Sequence, residues 1–269
     1  MADPAANPSG GGCVKTPRIY MCEDSLEGIL SAVHAAYMSR YGHEYQSIEA
    51  GDYVEPSLFA EMIRVETDMD KAARVADAVI HKISGYAWHM VKYGAMSCHM
   101  DKADTIYRFL VRGFRIGRRV TEQFTDPAVN RLYKLDREVS REKDHFYGFV
   151  RFEELSNGIL FAKIAPKHHQ LPLAADHFAD RYPMENWMIY DERRHEVCVH
   201  EVGKGWWIAK DVTPALRAIS DVSDSQKQFE QWWRSFYETI GIKERENPRC
   251  RMNMMPKMYW SNLPEMMGK

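Results

Sequence analysis

The chain has 269 residues, 45% of them hydrophobic and 28% charged, with a formal net charge of −2. That apolar content excludes a disordered chain, and 16 Gly with 12 Pro exclude a collagen-like one. No apolar run approaches the roughly 18 residues of a membrane-spanning helix, and the near-neutral charge leaves nucleic-acid binding to local patches.

Residues 1–12 read MADPAANPSGGG, with neither a basic start nor an apolar core. They are expected to form a flexible tail over residues 1–16 rather than a signal peptide. Ser25 suits the cap of a helix through Leu26, Ile29, Leu30, Val33 and Ala36, extended by Tyr37 and Tyr41 before Gly42. Thr67 precedes a second helix with Asp68 and Asp70 in its first turn, where the dipole favours them, and Ala72, Val75, Ala76, Val79, Ile80 and Ile83 form its apolar face. A third helix is predicted over Lys102–Val120, and a fourth over Pro127–Lys143 with Asp126 as its cap.

The pattern changes near His145. Phe146–Phe152 is aromatic and β-branched, and Ser156–Asn157–Gly158 separates it from Ile159–Ala165, which predicts a β-hairpin. A helix over Ala174–Arg181 and strands over Trp187–Asp191, His195–Glu201 and Trp206–Lys210 follow, the strands in an antiparallel meander. A last helix is predicted over Ser223 to about Ile240, before an irregular end containing Pro248, Pro256 and Pro264. The expected class is α+β: a helical region over 17–144, then an α+β domain over 145–269 with antiparallel strands and flanking helices.

Five scattered cysteines (Cys13, Cys22, Cys98, Cys198, Cys250) show no CxxC spacing. They argue against a disulfide framework or a cysteine-built metal site and predict a reducing, cytoplasmic setting. His168, His169 and His177 lack metal-ligand spacing. No P-loop, nucleophile elbow, Rossmann fingerprint or kinase signature occurs, so neither a cofactor nor a nucleophile is expected from motifs.

Charge is unevenly distributed. Glu23–Asp70 contains eleven acidic residues opposed by Arg40 and Arg64 alone, whereas Arg108–Arg151 contains eleven basic residues against six acidic ones. Arg108, Arg112, Arg115 and Arg119 fall at i, i+4, i+7 and i+11, along one helix face. Lys134, Arg137 and Arg141 repeat the pattern on the next helix. Guanidinium forks match phosphate oxygens, so these faces are candidate nucleic-acid contacts; the alternative is a solvated face paired with the acidic segment. Lys257, Tyr259 and Trp260, downstream of Lys243 and Arg245, combine cations with rings suited to base stacking. Glu138 and Glu142 share a helix face, where ion pairing competes with proton or metal chemistry.

Several strings occur in a fixed order: DSLEGIL (24–30), KAARV (71–75), EKDHFYGFVRFEEL (142–155), HFADRY (177–182), WMIYDERR (187–194), IKERENP (242–248) and MPKMYW (255–260). From about residue 18 onward the chain resembles a bacterial family described as a probable DNA metabolism protein, with a C-terminal domain of unknown function. Members are encoded beside a putative DNA-repair radical SAM protein, and related domains occur fused to uracil-DNA-glycosylase-like domains. The resemblance implies a role in DNA repair or modification, with radical chemistry on a partner. This chain itself lacks the CxxxCxxC that holds a radical SAM cluster. Positions within the shared strings are His145, Arg151, His177, Arg181, Asp191, Arg194, Lys243, Arg245, Asn247, Lys257, Tyr259 and Trp260. Met258 stands where the family pattern would have a basic residue, and Lys167–His168–His169 where it is more acidic.

Three functions follow as expectations. The first is a nucleic-acid-binding accessory protein that works with the radical SAM partner on DNA, away from any membrane. The second is an enzyme acting directly on DNA, a nuclease or a glycosylase-like one, using His145, His177, Asp191 and Arg194. The third is a structural adaptor whose arginines are neutralised internally.

Overall fold

The computed structural model describes residues 15–51, 58–156, 158–210, 255–263 and 266. They form two compact units. One runs to Ala95 and resumes over His99–Leu135; the other takes Met96–Cys98 and continues from Asp136.

The first unit is built on a parallel sheet of β1 (Arg18–Cys22), β2 (Gln46–Ala50) and β3 (Glu61–Arg64), in the order β2-β1-β3. These strands correct the expectation of an all-helical first half. Each is only four or five residues long, too short for an alternating pattern to stand out among helical signals. α1 (Leu26–Met38) connects β1 to β2, and its Ser25 Oγ accepts a hydrogen bond from Gly28 N at 3.0 Å. The helix stops short of Tyr41, because Arg40 already lies at φ 50°. α2 (Met69–Lys82) is capped by Asp68, which accepts from Lys71 N. α3 (Gly85–Ala95), which the sequence reading did not anticipate, precedes α4 (Lys102–Ile116). The core joins Ile48 of β2, Ile29, Leu30 and Val33 of α1, Val79 of α2, Met90 and Val91 of α3, and Ile106, Tyr107, Phe109 and Leu110 of α4.

α4 ends earlier than predicted. Gly117 adopts φ +67°, and a 3-10 turn over Gly117–Glu122 follows. α5 (Pro127–Phe149) then starts with Pro at its first position, and Asp126 Oδ1 accepts from Ala128 N and Val129 N. It continues through the aromatic run predicted as a strand. Val129, Leu132, Leu135, Val139, Glu142 and Phe146 are buried at spacings of three and four. That helical periodicity outweighs the β-propensity of residues 146–149.

The second unit carries a five-stranded sheet, order β4-β5-β6-β7-β8: β4 (Glu153–Glu154), β5 (Leu160–Ile164), β6 (Trp187–Asp191), β7 (Glu196–Glu201) and β8 (Gly205–Lys210). It is mixed rather than antiparallel throughout. β5 and β6 run parallel because α6 (Leu171–Arg181) crosses between them. Ala162, Ile164, Trp187, Ile189 and Cys198 pack into a core with Phe146 of α5, Ala174, Ala175 and Phe178 of α6, and Tyr259, Leu263 and Met266. The helix predicted over Ser223–Ile240, with Lys243, Arg245 and Asn247, lies outside the described residues.

Candidate nucleic-acid interface

The four arginines predicted to share one face of α4 have different surroundings. Arg108 is turned inward. Its Nη1 donates to His43 O at 2.5 Å, its Nη2 to Gln46 O, and its Nε to Asp104 Oδ2 at 3.3 Å. Beside it, Tyr107 Oη donates to Gln46 Oε1 at 2.8 Å and meets His43 Nδ1 at 2.7 Å. Arg108 therefore ties the His43–Tyr45 turn to α4. Burial, its largest influence, holds the His43 imidazole below its ordinary pKa.

Arg112 is half-committed. Its guanidinium donates to Gln123 Oε1 at 3.2 and 3.3 Å and lies 3.7 Å from Asp126. Arg115 and Arg119 are exposed, and so is Arg118, which the 3-10 turn adds to the group. Among the described residues none of these three guanidiniums has an ion pair. The acidic stretch Glu23–Asp70 finds its cations elsewhere: Arg18–Glu61, Lys71–Asp68 and Lys102–Asp24. These three cations fall on five consecutive residues, and Phe124, 45% exposed, emerges two residues beyond the turn. The sequence carried the cue for Arg118, because Gly117 interrupts the helical spacing. It held no cue for the exposure of Phe124.

On α5, Lys134, Arg137 and Arg141 are exposed, whereas Arg131 is held by Asp101 through two hydrogen bonds of 2.6 and 2.9 Å. That pairing keeps the Asp101 carboxyl below the usual range. Arg151 caps the end of α5, donating to Gly148 O at 2.8 Å and Val150 O at 3.3 Å. At the far end of the chain Lys257 is exposed, with Nζ 5.8 Å from the Trp260 ring centroid. Trp260 Nε1 donates to Met255 O, and Tyr259 is buried between Phe146, Phe149 and His145. The Tyr259 ring is therefore core, not a platform for bases.

The four catalytic candidates have separate surroundings. His145 lies against Phe149 and Tyr259, while His177 stacks on Tyr147 at 3.8 Å between ring centroids. Burial first, then the Arg181 charge, lowers the His177 pKa. Asp191 is fully buried and consumed by its own turn. Oδ1 accepts from Arg193 N and Arg194 N, and Oδ2 lies 3.0 Å from Arg194 Nη1. Arg194 also donates to Pro166 O and Lys167 O. The pair buttresses a loop.

That loop holds the densest polar cluster of the second unit. The buried Glu142 carboxylate accepts from Lys167 N at 2.7 Å, His168 N at 2.8 Å and Gln170 Nε2 at 3.1 Å. His168 Nδ1 accepts from Cys98 N, and His169 Nε2 lies 2.7 Å from Glu196 Oε2. Burial pushes the Glu196 carboxyl upward, but the His169 contact outweighs it, and the group sits below the usual range. The Glu142 carboxylate is thus fully engaged with backbone and side-chain donors and fixes the loop, whereas Gln170 Oε1 is buried without a hydrogen-bond partner among the described residues. Among the described residues no three His, Cys, Asp or Glu side chains are arranged to hold a metal.

A separate cleft of about 500 Å³ opens in the first unit at the carboxyl ends of β1, β2 and β3, lined by Cys22, Glu23, Gly51, Arg64, Glu66 and Thr67. Ligands of parallel sheets bind at such ends. Thr67 Oγ1 donates to Glu23 Oε2 at 2.9 Å across it. Cys22 is buried there, and burial pushes its thiol up to about 12.

The α+β architecture defines a fold class and not a chemistry. The chain belongs to the family described as a domain of unknown function, DUF4130, which matches residues 100–265, more than half of its length. Both basic helices lie within the matched residues, and the parallel sheet with its cleft lies outside them. No curated protein matches the chain. Among solved structures, a pGpG-specific phosphodiesterase, PggH from Vibrio cholerae, is similar over 68% of this chain and 80% of its own, at 10% identity and a TM-score of 0.32. So slight an overlap transfers no activity. No helix among the described residues is long and apolar enough to cross a membrane.

Proposed function

We propose that this protein is a DNA-binding accessory factor of DNA repair or modification, holding the phosphate backbone with Arg115, Arg118 and Arg119. The observation that carries the reading is the exposure of these three guanidiniums without an ion pair among the described residues. Uncompensated cations repel one another and add nothing to folding, so their clustering suits a polyanion supplied from outside. The sequence resemblance supports the repair setting and a radical SAM partner. In that arrangement the partner performs the radical chemistry and this chain supplies the grip on DNA. The enzyme reading loses its motive, since Asp191 and Arg194 are structural and His145 and His177 pack among aromatic rings.

The test compares DNA binding of the intact protein, an Arg115→Ala/Arg118→Ala/Arg119→Ala variant, and a charge-matched control, Arg74→Ala/Lys163→Ala/Arg193→Ala, whose residues are also exposed. The reading expects the first variant to bind more weakly by tenfold or more and the control to bind like the parent. Equal weakening by both variants would reduce the effect to net charge and remove the proposed surface.

A further inference from the structure

We infer that the preferred ligand of this surface is single-stranded DNA, with an unpaired base stacked on the exposed ring of Phe124. The inference rests on the proposed DNA-binding reading and deepens it. A large apolar ring left in water is unremarkable alone; its setting carries the argument. Phe124 is anchored on both sides. Its N–H donates to Glu122 O at 3.1 Å, and its carbonyl accepts from Asn130 Nδ2 at 3.3 Å. Tyr133 of α5 meets the ring edge-to-face at 5.1 Å and 75°, fixing its orientation without covering it.

Cations also precede the ring along the chain. Gln123 and Asp126, which flank Phe124 in the chain, hold the Arg112 guanidinium, partly neutralised by Asp126. Arg118 and Arg119 sit on the turn that leads into Phe124. Five residue steps lead from Arg119 to Phe124, a span of at most about 18 Å even if extended and less along a 3-10 turn. A ring held rigidly within reach of phosphate-binding groups is the combination that grips single strands. Base–aromatic stacking supplies sequence-tolerant affinity, and arginines track the backbone. Duplex DNA offers the phosphates but keeps its base faces stacked inside, and exposing one costs unstacking energy.

The experiment measures anisotropy of labelled dT12 and of a 12-base-pair duplex with the full chain, its Phe124→Ala, Phe124→Leu and Phe124→Tyr variants, and the triple arginine variant. Leu keeps an apolar contact with Tyr133 and lacks a π-face; Tyr keeps the face. The expected result is tighter binding of dT12 than of duplex. Ala and Leu should each weaken dT12 binding by about 5- to 150-fold, as loss of one stacked base does, with duplex binding changed less than twofold and Tyr behaving like the parent. Duplex binding as tight as dT12, or Ala and Leu variants that bind dT12 like the parent, overturns the inference. If the arginine variant loses affinity while the Phe124 variants do not, the stacking inference alone falls. If the arginine variant binds both ligands unchanged, the DNA-binding reading falls as well.

Discussion

Gly28 shows how tightly single positions are specified at the start of α1. A Cβ built there would lie 2.5 Å from the Glu23 carbonyl oxygen, a backbone atom that cannot swing aside, and 2.9 Å from the capping Ser25 Oγ. Gly28→Ala is therefore expected to destabilise the protein by about 1–3 kcal/mol, the usual cost of forced overpacking. Urea unfolding checks this, and an unchanged midpoint would contradict it. Glu142 is the corresponding residue of the second unit. Glu142→Ala strands two backbone N–H groups, at roughly 1–3 kcal/mol for each buried donor left unpaired, and leaves the Gln170 amide only its bond to Val139 O, so a loss of several kcal/mol is expected in the same assay. A loss below about 1 kcal/mol would mean that water replaces the carboxylate. Neither role could be read from the sequence, because each depends on which backbone groups tertiary folding brings nearby. The same holds for Arg108 and Arg115, alike in spacing and opposite in environment: one reaches the His43–Tyr45 turn, the other reaches solvent.

Elements were legible where their own periodicity agreed with their packing. The caps Ser25 and Asp126 and the strand over Trp187–Asp191 lie where local chemistry placed them, whereas α2 is capped by Asp68 itself, which was expected inside its first turn. The errors arose where packing decided. Residues 146–149 have strand-like composition, yet Phe146 continues the buried row of α5. The direction of β6 relative to β5 is set by the α6 crossover and has no local signature. The C-terminal 3-10 turn over Lys257–Asn262 places Tyr259 inside the second core. Its Oη has no hydrogen-bond partner there among the described residues. Tyr259→Phe should accordingly leave stability unchanged or raise it by up to about 1 kcal/mol, because an unpaired buried hydroxyl is removed. It should also leave DNA affinity unaltered. A marked drop in thermal midpoint would reveal a partner for that hydroxyl.

At the scale of the whole molecule, the even charge balance conceals two different uses of charge. Paired charges such as Asp101–Arg131 belong to folding. The folded-state pKa of Asp101 is lowered, so its contribution is present above the ordinary carboxylate value of about 3.9 and is lost as pH falls through the lower folded value. Unfolding at pH 6 and pH 3 should show Asp101→Asn less stable than the parent at pH 6, with the gap closing at pH 3. A gap independent of pH would deny the ion pair that role. Arg115, Arg118 and Arg119, exposed and without an ion pair among the described residues, are the charges we propose to serve binding, and the sequence showed the clustering of basic residues but not which of them stay unpaired. The measurement that tests this most directly is the salt dependence of oligo(dT) affinity for the parent and the triple arginine variant. Each phosphate neutralised on a single strand contributes about −0.7 to the log–log slope. The account predicts a steep slope for the parent and a shallower one, by about 0.7 for each arginine that contacts a phosphate, for the variant. Identical slopes and affinities in the two proteins would contradict it.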